Sequence, residues 1–324
     1  MISLTRLFTV VFTSALLSGA DDAAFWRLQH RADDLLRQGR YEEAAPVVRA
    51  AVAEVGASSR AGIQMAVALN NAGYLYARLG RCDEARTALV RSVGVWKALG
   101  ASGIDGVMET GSSLVSVYLD CGDAAVAAAF WKKELEPLYM RLPVEGILYA
   151  RLSMIAGTLG LVRRDYPRAE QLLTTAITIL QNQKTPESNE LALILNDRAV
   201  VRMHLSRNDD AAADLERAIG ILEENHVNDD IGLAKAVGNL AMVHRRNLRL
   251  AEAERGFRRA RSLLDGKPDH LSAAAVAHEY AGLLRRAGRT DEASLMEREA
   301  RSQARLSHTH TLRQTVDLSE LMLR

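Results

Sequence analysis

One six-residue phrase recurs along this chain at an almost constant interval. It reads GRYEEA at 39–44, GRCDEA at 80–85, GDAAVA at 122–127, RDYPRA at 164–169, SRNDDA at 206–211, LRLAEA at 248–253 and GRTDEA at 288–293. The closing alanines, Ala44, Ala85, Ala127, Ala169, Ala211, Ala253 and Ala293, are 41, 42, 42, 42, 42 and 40 residues apart. A period this regular over most of the chain leaves one class of fold. It is a stack of supersecondary units, each unable to bury its apolar face alone.

Two further columns describe the unit. Twelve residues before each alanine stand Ala32, Gly73, Val115, Gly157, Ala199, Ala241 and Ala281, and seven after stand Ala51, Ser92, Glu134, Ala176, Ala218, Ala260 and Ala300. Small side chains let helix axes approach closely, so each unit reads as a tightly packed helical pair. Glu134 breaks the pattern and marks the third repeat as irregular. Leu69, Ala72, Leu75, Tyr76 and Leu79 fall at helical spacing. Gly39, Gly80, Gly122 and Gly288 supply the left-handed residue that ends a first helix, and Asn208 and Asn247 are expected to take that part where glycine is missing. Breakers fall between units: 56–59, 100–106, Pro143, Pro186, 225–230 and 266–268. The glycine-rich stretch 100–106 reads as a linker. Pro167 suits a first helical turn, whereas Pro46 lies further in and is expected to distort one. Aromatic residues make up only 5% of the 324, and no alternating strand pattern occurs. The chain reads as all-α.

ALNNAGYLYARLGRCDEARTALVRSV at 68–93 and AVGNLAMVHRRNLRLAEAERGFRRA at 236–260 carry a family likeness. They resemble the tetratricopeptide repeat family, in the roughly 42-residue form found in kinesin light chains. The resemblance covers about residues 24–305. It implies a right-handed α-solenoid superhelix of about seven helical hairpins over 21–305, whose first helices line a concave groove. Residues 306–324 fall outside the repeats. Thr311 and Asp317 open two capping-box patterns, and Leu318, Leu321 and Met322 are expected either to cover the last hairpin or to belong to an extended tail.

The first twenty residues stand apart. Arg6, an apolar run from Leu7 to Leu17, and small residues at Ser18 and Ala20 fit a cleaved export signal. The run is too short to span a bilayer. The expectation is a periplasmic or secreted protein with no membrane span after signal removal. The alternative is a cytoplasmic protein whose first helix is apolar.

No chemistry of catalysis emerges. His278-Glu279 opens like a zinc-protease helix, but Gly282 stands where the second histidine belongs. No nucleophile elbow, phosphate loop or Cys–His set is present, so no catalytic residue, metal site or cofactor is expected. An unrecognised hydrolase remains the remote alternative. The net charge is +1, and the basic residues form no concentrated face, so no nucleic-acid partner is expected. Cys82 and Cys121 sit at neighbouring turns. A bridge is open to them in an oxidising compartment, but their offset along the turn favours two packed thiols.

What remains is binding. Fourteen residues before the repeat alanine lie His30, Asn71, Ser113, Ile155, Asp197, Asn239 and Glu279. A column that stays polar beside packed small residues is expected to face solvent. In related repeats, asparagines at this place hold the backbone of an extended peptide, so Asn71, Asn239 and Asp197 are candidate peptide contacts. Arg37, Arg78, Arg246 and Arg286 form a second column, at the ends of first helices. The plainer reading is that these cations complement the helix dipoles. In the functional reading Arg78, Arg246 and Arg286 form a basic rim that grips a carboxylate-bearing segment. Asp33, Glu109 and Ser113 around Asn71 argue against a clamp for a terminal carboxylate. The sequence therefore points to a scaffold or adaptor binding a protein or peptide partner, or to a peptide-responsive sensor.

Overall fold

The computed structural model describes residues 23–56, 62–182, 189–224, 230–267 and 269–307. The expected export signal and the tail from 308 lie outside these. The described residues form two compact units. The first, residues 23–121 with 125–142, holds helices α1 (Ala23–Arg37), α2 (Tyr41–Gly56), α3 (Gly62–Arg78), α4 (Cys82–Ala98), α5 (Ile104–Asp120), α6 (Ala124–Phe130) and α7 (Glu136–Tyr139). The second, mainly residues 143–307, holds α8 (Ile147–Val162), α9 (Tyr166–Gln181), α10 (Asn189–His204), α11 (Asn208–Glu224), α12 (Asp230–Arg246), α13 (Leu250–Leu264), α14 (His270–Arg286) and α15 (Thr290–Ser307). Among the described residues no strand occurs. The fold is an all-α helical-repeat solenoid of seven hairpins.

The recurring phrase is a turn with a fixed hydrogen-bond pattern. Gly39 N–H donates to the Leu36 carbonyl at 3.1 Å, and Arg40 N–H to the Leu35 carbonyl at 2.9 Å. This pair of bonds closes a helix when the residue between turn and helix is left-handed. Gly39, Gly80, Gly122 and Gly288 have φ of 69°, 72°, 87° and 74°. In the other three turns the left-handed residue is Arg164, Ser206 or Leu248, with φ of 61°, 60° and 60°. The expectation for Asn208 and Asn247 was misplaced. The turn geometry fixes which position is left-handed, and no asparagine stands there.

The phrase's arginine closes the next helix's first turn from outside. Arg40 pairs with Glu43 at 2.6 Å, Arg207 with Asp210 at 2.8 Å and Arg289 with Glu292 at 2.6 Å, and Arg81 pairs with Glu84. These bridges are solvent-exposed and add little stability. They fix local geometry where no capping side chain is supplied, as at Arg81 before α4.

Packing inside each hairpin follows the small-residue columns. A Cβ on Gly73 would lie 2.5 Å from Leu89 Cγ, and one on Gly157 would lie 2.7 Å from Leu173 Cγ. Four and eleven residues after the repeat alanine, internal repeats carry apolar side chains, among them Val48 and Val55, Leu89 and Trp96, Leu215 and Leu222, and Phe257 and Leu264, all 5% exposed or less. In α15 the same positions hold Glu297 and Ala304. Glu297 pairs with Arg285 and, at 4.0 Å, with Arg301. The last hairpin thus presents a charged group at the first of these positions, where the other hairpins present a core.

Three local expectations meet different outcomes. The helix α2 runs unbroken through Pro46, an exposed residue. Residues 100–106 are no loose linker: Gly100–Gly103 form a 3₁₀ turn that leads into α5, and Gly103 and Gly106 lie against Trp96, where a Cβ would clash. The irregular third repeat carries a π-helical turn at Trp131–Leu135. Such a turn adds a residue and rotates the helix beyond it. Leu135 is fully buried, and Glu134 turns out to meet Lys97 at 2.6 Å.

Cys82 and Cys121 form a disulfide with a Cα separation of 6.0 Å. Their offset in sequence does not hold them apart, because stacking shifts successive turns by three residues. Cys82 lies three residues before its repeat alanine and Cys121 six before its own. That shift brings them opposite each other.

Candidate functional site

The polar column on the first helices is built between helices, not toward water. Asn71 on α3 and Asn239 on α12 are 1% and 0% exposed, Asp197 on α10 is 0%, and Ser113 and Ile155 are 0%. His30 alone in the column is exposed, and Glu279 is half-buried. The expectation that the column faces solvent is therefore corrected. A first helix within the stack is flanked by the first helices of the repeats before and after it. A polar residue on its flank meets a neighbouring helix, and each polar group there needs a partner.

The partners follow one register. Asn71 donates its amide to the Asp33 carboxylate on α1, which also accepts from Gln29 at 3.0 Å. Thr158 on α8 donates to Asp197 Oδ2 at 3.0 Å. Asp33 and Thr158 each lie eleven residues before their repeat alanine, and Asn71 and Asp197 fourteen before theirs. Asn196 donates to Asp197 Oδ1 at 3.4 Å and accepts from Asn239 at 2.8 Å. In the second unit α8, α10 and α12 are thus joined by one buried ladder, Thr158–Asp197–Asn196–Asn239. Nearer the helix starts, Arg151 of α8 meets Glu190 of α10 at 3.2 Å, and Lys235 of α12 meets Asp269 at 2.9 Å.

The arginine column divides. Arg78 is buried, with its guanidinium carbon 5.0 Å from the Tyr41 ring centroid. Arg246 donates to the Met203 carbonyl in the last turn of α10 at 2.6 Å. It complements a helix C-terminus, but that of the neighbouring first helix rather than its own. Arg286 is exposed at the end of α14. Arg78 and Asn71 belong to the first unit. Asp197, Asn239, Arg246 and Arg286 belong to the second, where Asp197 and Asn239 meet through Asn196.

Among the exposed groups of the second unit is a row at the ends of first helices. His204, Arg246 and Arg286 are exposed at equivalent positions of α10, α12 and α14, seven residues before each repeat alanine. The His204 ring stacks on Tyr166, with centroids 4.6 Å apart and planes 5° from parallel. Burial of the ring, then the Arg246 guanidinium, pushes its pKa below the ordinary histidine value. The shift favours the neutral ring, which can both donate and accept. The row offers hydrogen-bonding groups and positive charge at one-repeat intervals. Sequence reading passed over His204 because no motif surrounds it; its register position was the available signal. Among the described residues no cluster of three or more His, Cys, Asp or Glu is placed to hold a metal ion, and no helix is long and apolar enough to cross a membrane.

Residues 232–305 match the tetratricopeptide repeat model. No curated protein matches the chain. Among solved structures it is similar to the Rap conjugation gene regulator of the plasmid pLS20 in complex with the Phr* peptide, at 12% identity and a TM-score of 0.67 over 94% of this chain and 82% of that one. It is also similar to a Rap protein complexed with Competence and Sporulation Factor, at 11% identity and a TM-score of 0.66 over 91% and 90%. BtubC (BKLC) from P. vanneervenii matches at 16% identity and a TM-score of 0.53 over 73% of this chain and 96% of that one. At these identities the likeness is one of fold. Residues 232–305 belong to the tetratricopeptide repeat family, and the hairpins before them repeat the same architecture at the same period.

Proposed function

We propose that this protein is a non-catalytic interaction module that binds an extended segment of a partner protein along the first-helix ends of its second unit. The observation that carries this reading is the row His204, Arg246 and Arg286, an exposed polar group at the same register position of three successive first helices, on a scaffold whose buried first-helix polar groups Asp197, Asn196 and Asn239 are joined to one another. An extended peptide offers carbonyl groups and carboxylates at intervals that such a row can meet. Asn71, Asn239 and Asp197 act behind the surface here, holding the helices that present it. The 42-residue period supports the longer tetratricopeptide form.

A second reading, a peptide-responsive sensor, is favoured by the likeness to Rap proteins solved with the Phr* peptide and with Competence and Sporulation Factor. The compartment we propose is exported, periplasmic or secreted. Support comes from the disulfide between the chain's two cysteines, since such bonds persist in oxidising compartments.

The test is affinity capture from the native compartment with wild-type protein and with the Arg246→Ala/Arg286→Ala variant in parallel. The reading expects a partner held by wild type and lost by the variant at a temperature where both proteins are folded, with Arg286→Ala alone weakening capture at an unchanged melting temperature. A partner retained equally by both moves the binding surface elsewhere. A large change in small-angle scattering on adding the captured partner's peptide favours the sensor over the adaptor.

A further inference from the structure

Leu248 stands where both backbone and side chain count against a leucine. It lies five residues before its repeat alanine, at the left-handed position of the hairpin turn, with φ of 60°. Four of the seven turns fill that position with glycine, which adopts the conformation freely, whereas a Cβ makes it costly. No burial compensates: at 77% Leu248 is the most exposed large apolar residue among those described. Leu250, two residues on and first in α13, is 42% exposed.

Cations surround the pair. Residues 245–252 carry three arginines and one acid, Glu252. Glu252 acts on His244, and Asp209 of the preceding turn accepts from Asn247 at 3.4 Å. Arg245 is paired with Glu279, while Arg246 donates to an uncharged group, the Met203 carbonyl. Arg249 and Arg286 are exposed and form no ion pair among the described residues. Across the stack, the residue three before one repeat alanine meets the residue seven before the next. Tyr41 lies 5.0 Å from the Arg78 guanidinium carbon in this way, and Tyr166 stacks on His204 at 4.6 Å. Leu250 holds the first of these positions and Arg286 the second. The register thus sets the two leucines between Arg246, at the end of α12, and Arg286, at the end of α14.

We propose that Leu248 and Leu250 are the apolar contact of the binding row, and that the segment it takes carries a large apolar residue between two carboxylates. This rests on the reading above, that the row binds an extended segment of a partner protein. Charge complementarity assigns one carboxylate to Arg246 and one to Arg286. Packed helices lie about 8–10 Å apart, so the carboxylates stand about three residues apart on an extended chain. The apolar residue between them covers Leu248, which explains a side chain that does nothing for the fold. An anionic membrane is the poorer fit, because even a single myristoyl chain anchors a protein only marginally and two leucines offer less.

The experiment uses the full chain and an array of short synthetic peptides carrying Asp, Leu and Ser in all combinations. Wild type is expected to bind peptides with Leu between two Asp about tenfold or more tightly than those with Ser in its place. Leu248→Gly is expected to lose that preference and keep the preference for Asp. Its thermal midpoint is expected to be no lower than that of wild type, because glycine relieves the left-handed backbone. Leu248→Ser, which brings in the residue type of the equivalent Ser206, is expected to lose the preference too, and so separates the missing side chain from a loosened turn. Arg286→Ala is expected to weaken the preference for Asp. Acidic peptides bound without regard to Leu overturn this inference and leave the row's reading standing. Binding of no peptide removes that reading and this inference with it. A Leu preference that survives in both Leu248 variants, a midpoint lowered in both, or co-sedimentation with phosphatidylglycerol vesicles that depends on Leu248 also overturns it.

Discussion

Asn208 donates its side-chain amide to Asn247, 39 residues further on, at 3.3 Å, and the two stand at the repeat positions that Cys82 and Cys121 join covalently, also 39 residues apart. Three residues before one repeat alanine faces six residues before the next. The same contact is a covalent bond in the first unit and a hydrogen bond in the second. The two links should differ in strength accordingly. Cys82→Ser/Cys121→Ser should destabilise the protein by about 3–4 kcal/mol, the loop entropy of a cross-link this long. Asn208→Ala should cost only about 1 kcal/mol. Urea denaturation of the two variants measures the difference, and equal losses would refute the equivalence.

Asp214 is the hub of an ion network in the second unit. It meets Arg198 at 2.7 Å and Arg202 at 2.8 Å, while Arg202 and Arg207 reach Glu170 at 2.9 and 2.8 Å. Asp214 is 5% exposed, so its removal leaves two guanidinium groups poorly compensated. Asp214→Ala should cost about 3–5 kcal/mol in chemical denaturation, since breaking a buried pair strands its partner. Losses below about 1 kcal/mol would show that Glu170 beside Arg202 and the Thr174 hydroxyl beside Arg198 suffice without Asp214.

Asp269 gives the pH dependence a named source. Burial pushes its carboxyl up, but Lys235 at 2.9 Å and the Ser272 N–H and hydroxyl at 3.0 and 2.9 Å outweigh that, and its pKa lies below the ordinary carboxylate value. A depressed carboxylate contributes stability that is fully present above its unfolded pKa, about 3.9, and lost as pH falls through the folded value. Wild type should melt higher than Asp269→Asn by a constant margin from pH 5 to 8, and that margin should shrink below about pH 4. A margin that grows on acidification would reverse the sign of the coupling.

Ala241 packs against Gly256, whose added Cβ would lie 2.8 Å from the Ala241 Cβ. Ala241→Leu should overpack the α12–α13 contact and cost about 1–3 kcal/mol, read from the thermal midpoint. An unchanged midpoint would place Ala241 outside the helix contact.

The period, the hairpins, the turn glycines and the small columns are legible in the sequence because each is a residue type forced on a register position by sterics. The burial of Asn71, Asp197 and Asn239 is not legible in the same way. A polar residue in a repeat column satisfies its hydrogen bonds with water or with the next helix, and composition does not distinguish these. The distinguishing signal is a second polar residue at the facing register: Asp33 for Asn71, and Thr158 for Asp197. Ser206 and Leu248 in left-handed turns were hidden for another reason. The closing hydrogen bonds of the turn impose that conformation on whatever residue stands there. Glu134 did announce an irregular repeat, and the π-helical turn is how the chain keeps it out of the core.

The first-helix polar column joins helix to helix, and the open row beyond it is where we propose that a partner binds; this division of labour is the central claim. The most direct measurement is a double-mutant cycle on Asn196 and Asn239, joined at 2.8 Å with both side chains buried. Asn196→Ala, Asn239→Ala and the double variant are unfolded in urea, and the coupling energy is taken from the three losses. Single losses of about 1–3 kcal/mol each and a coupling of about 1 kcal/mol are predicted, because each truncation strands the other's polar group inside the stack. Single losses near zero with no coupling would mean the asparagines face water, and would return the binding surface to them.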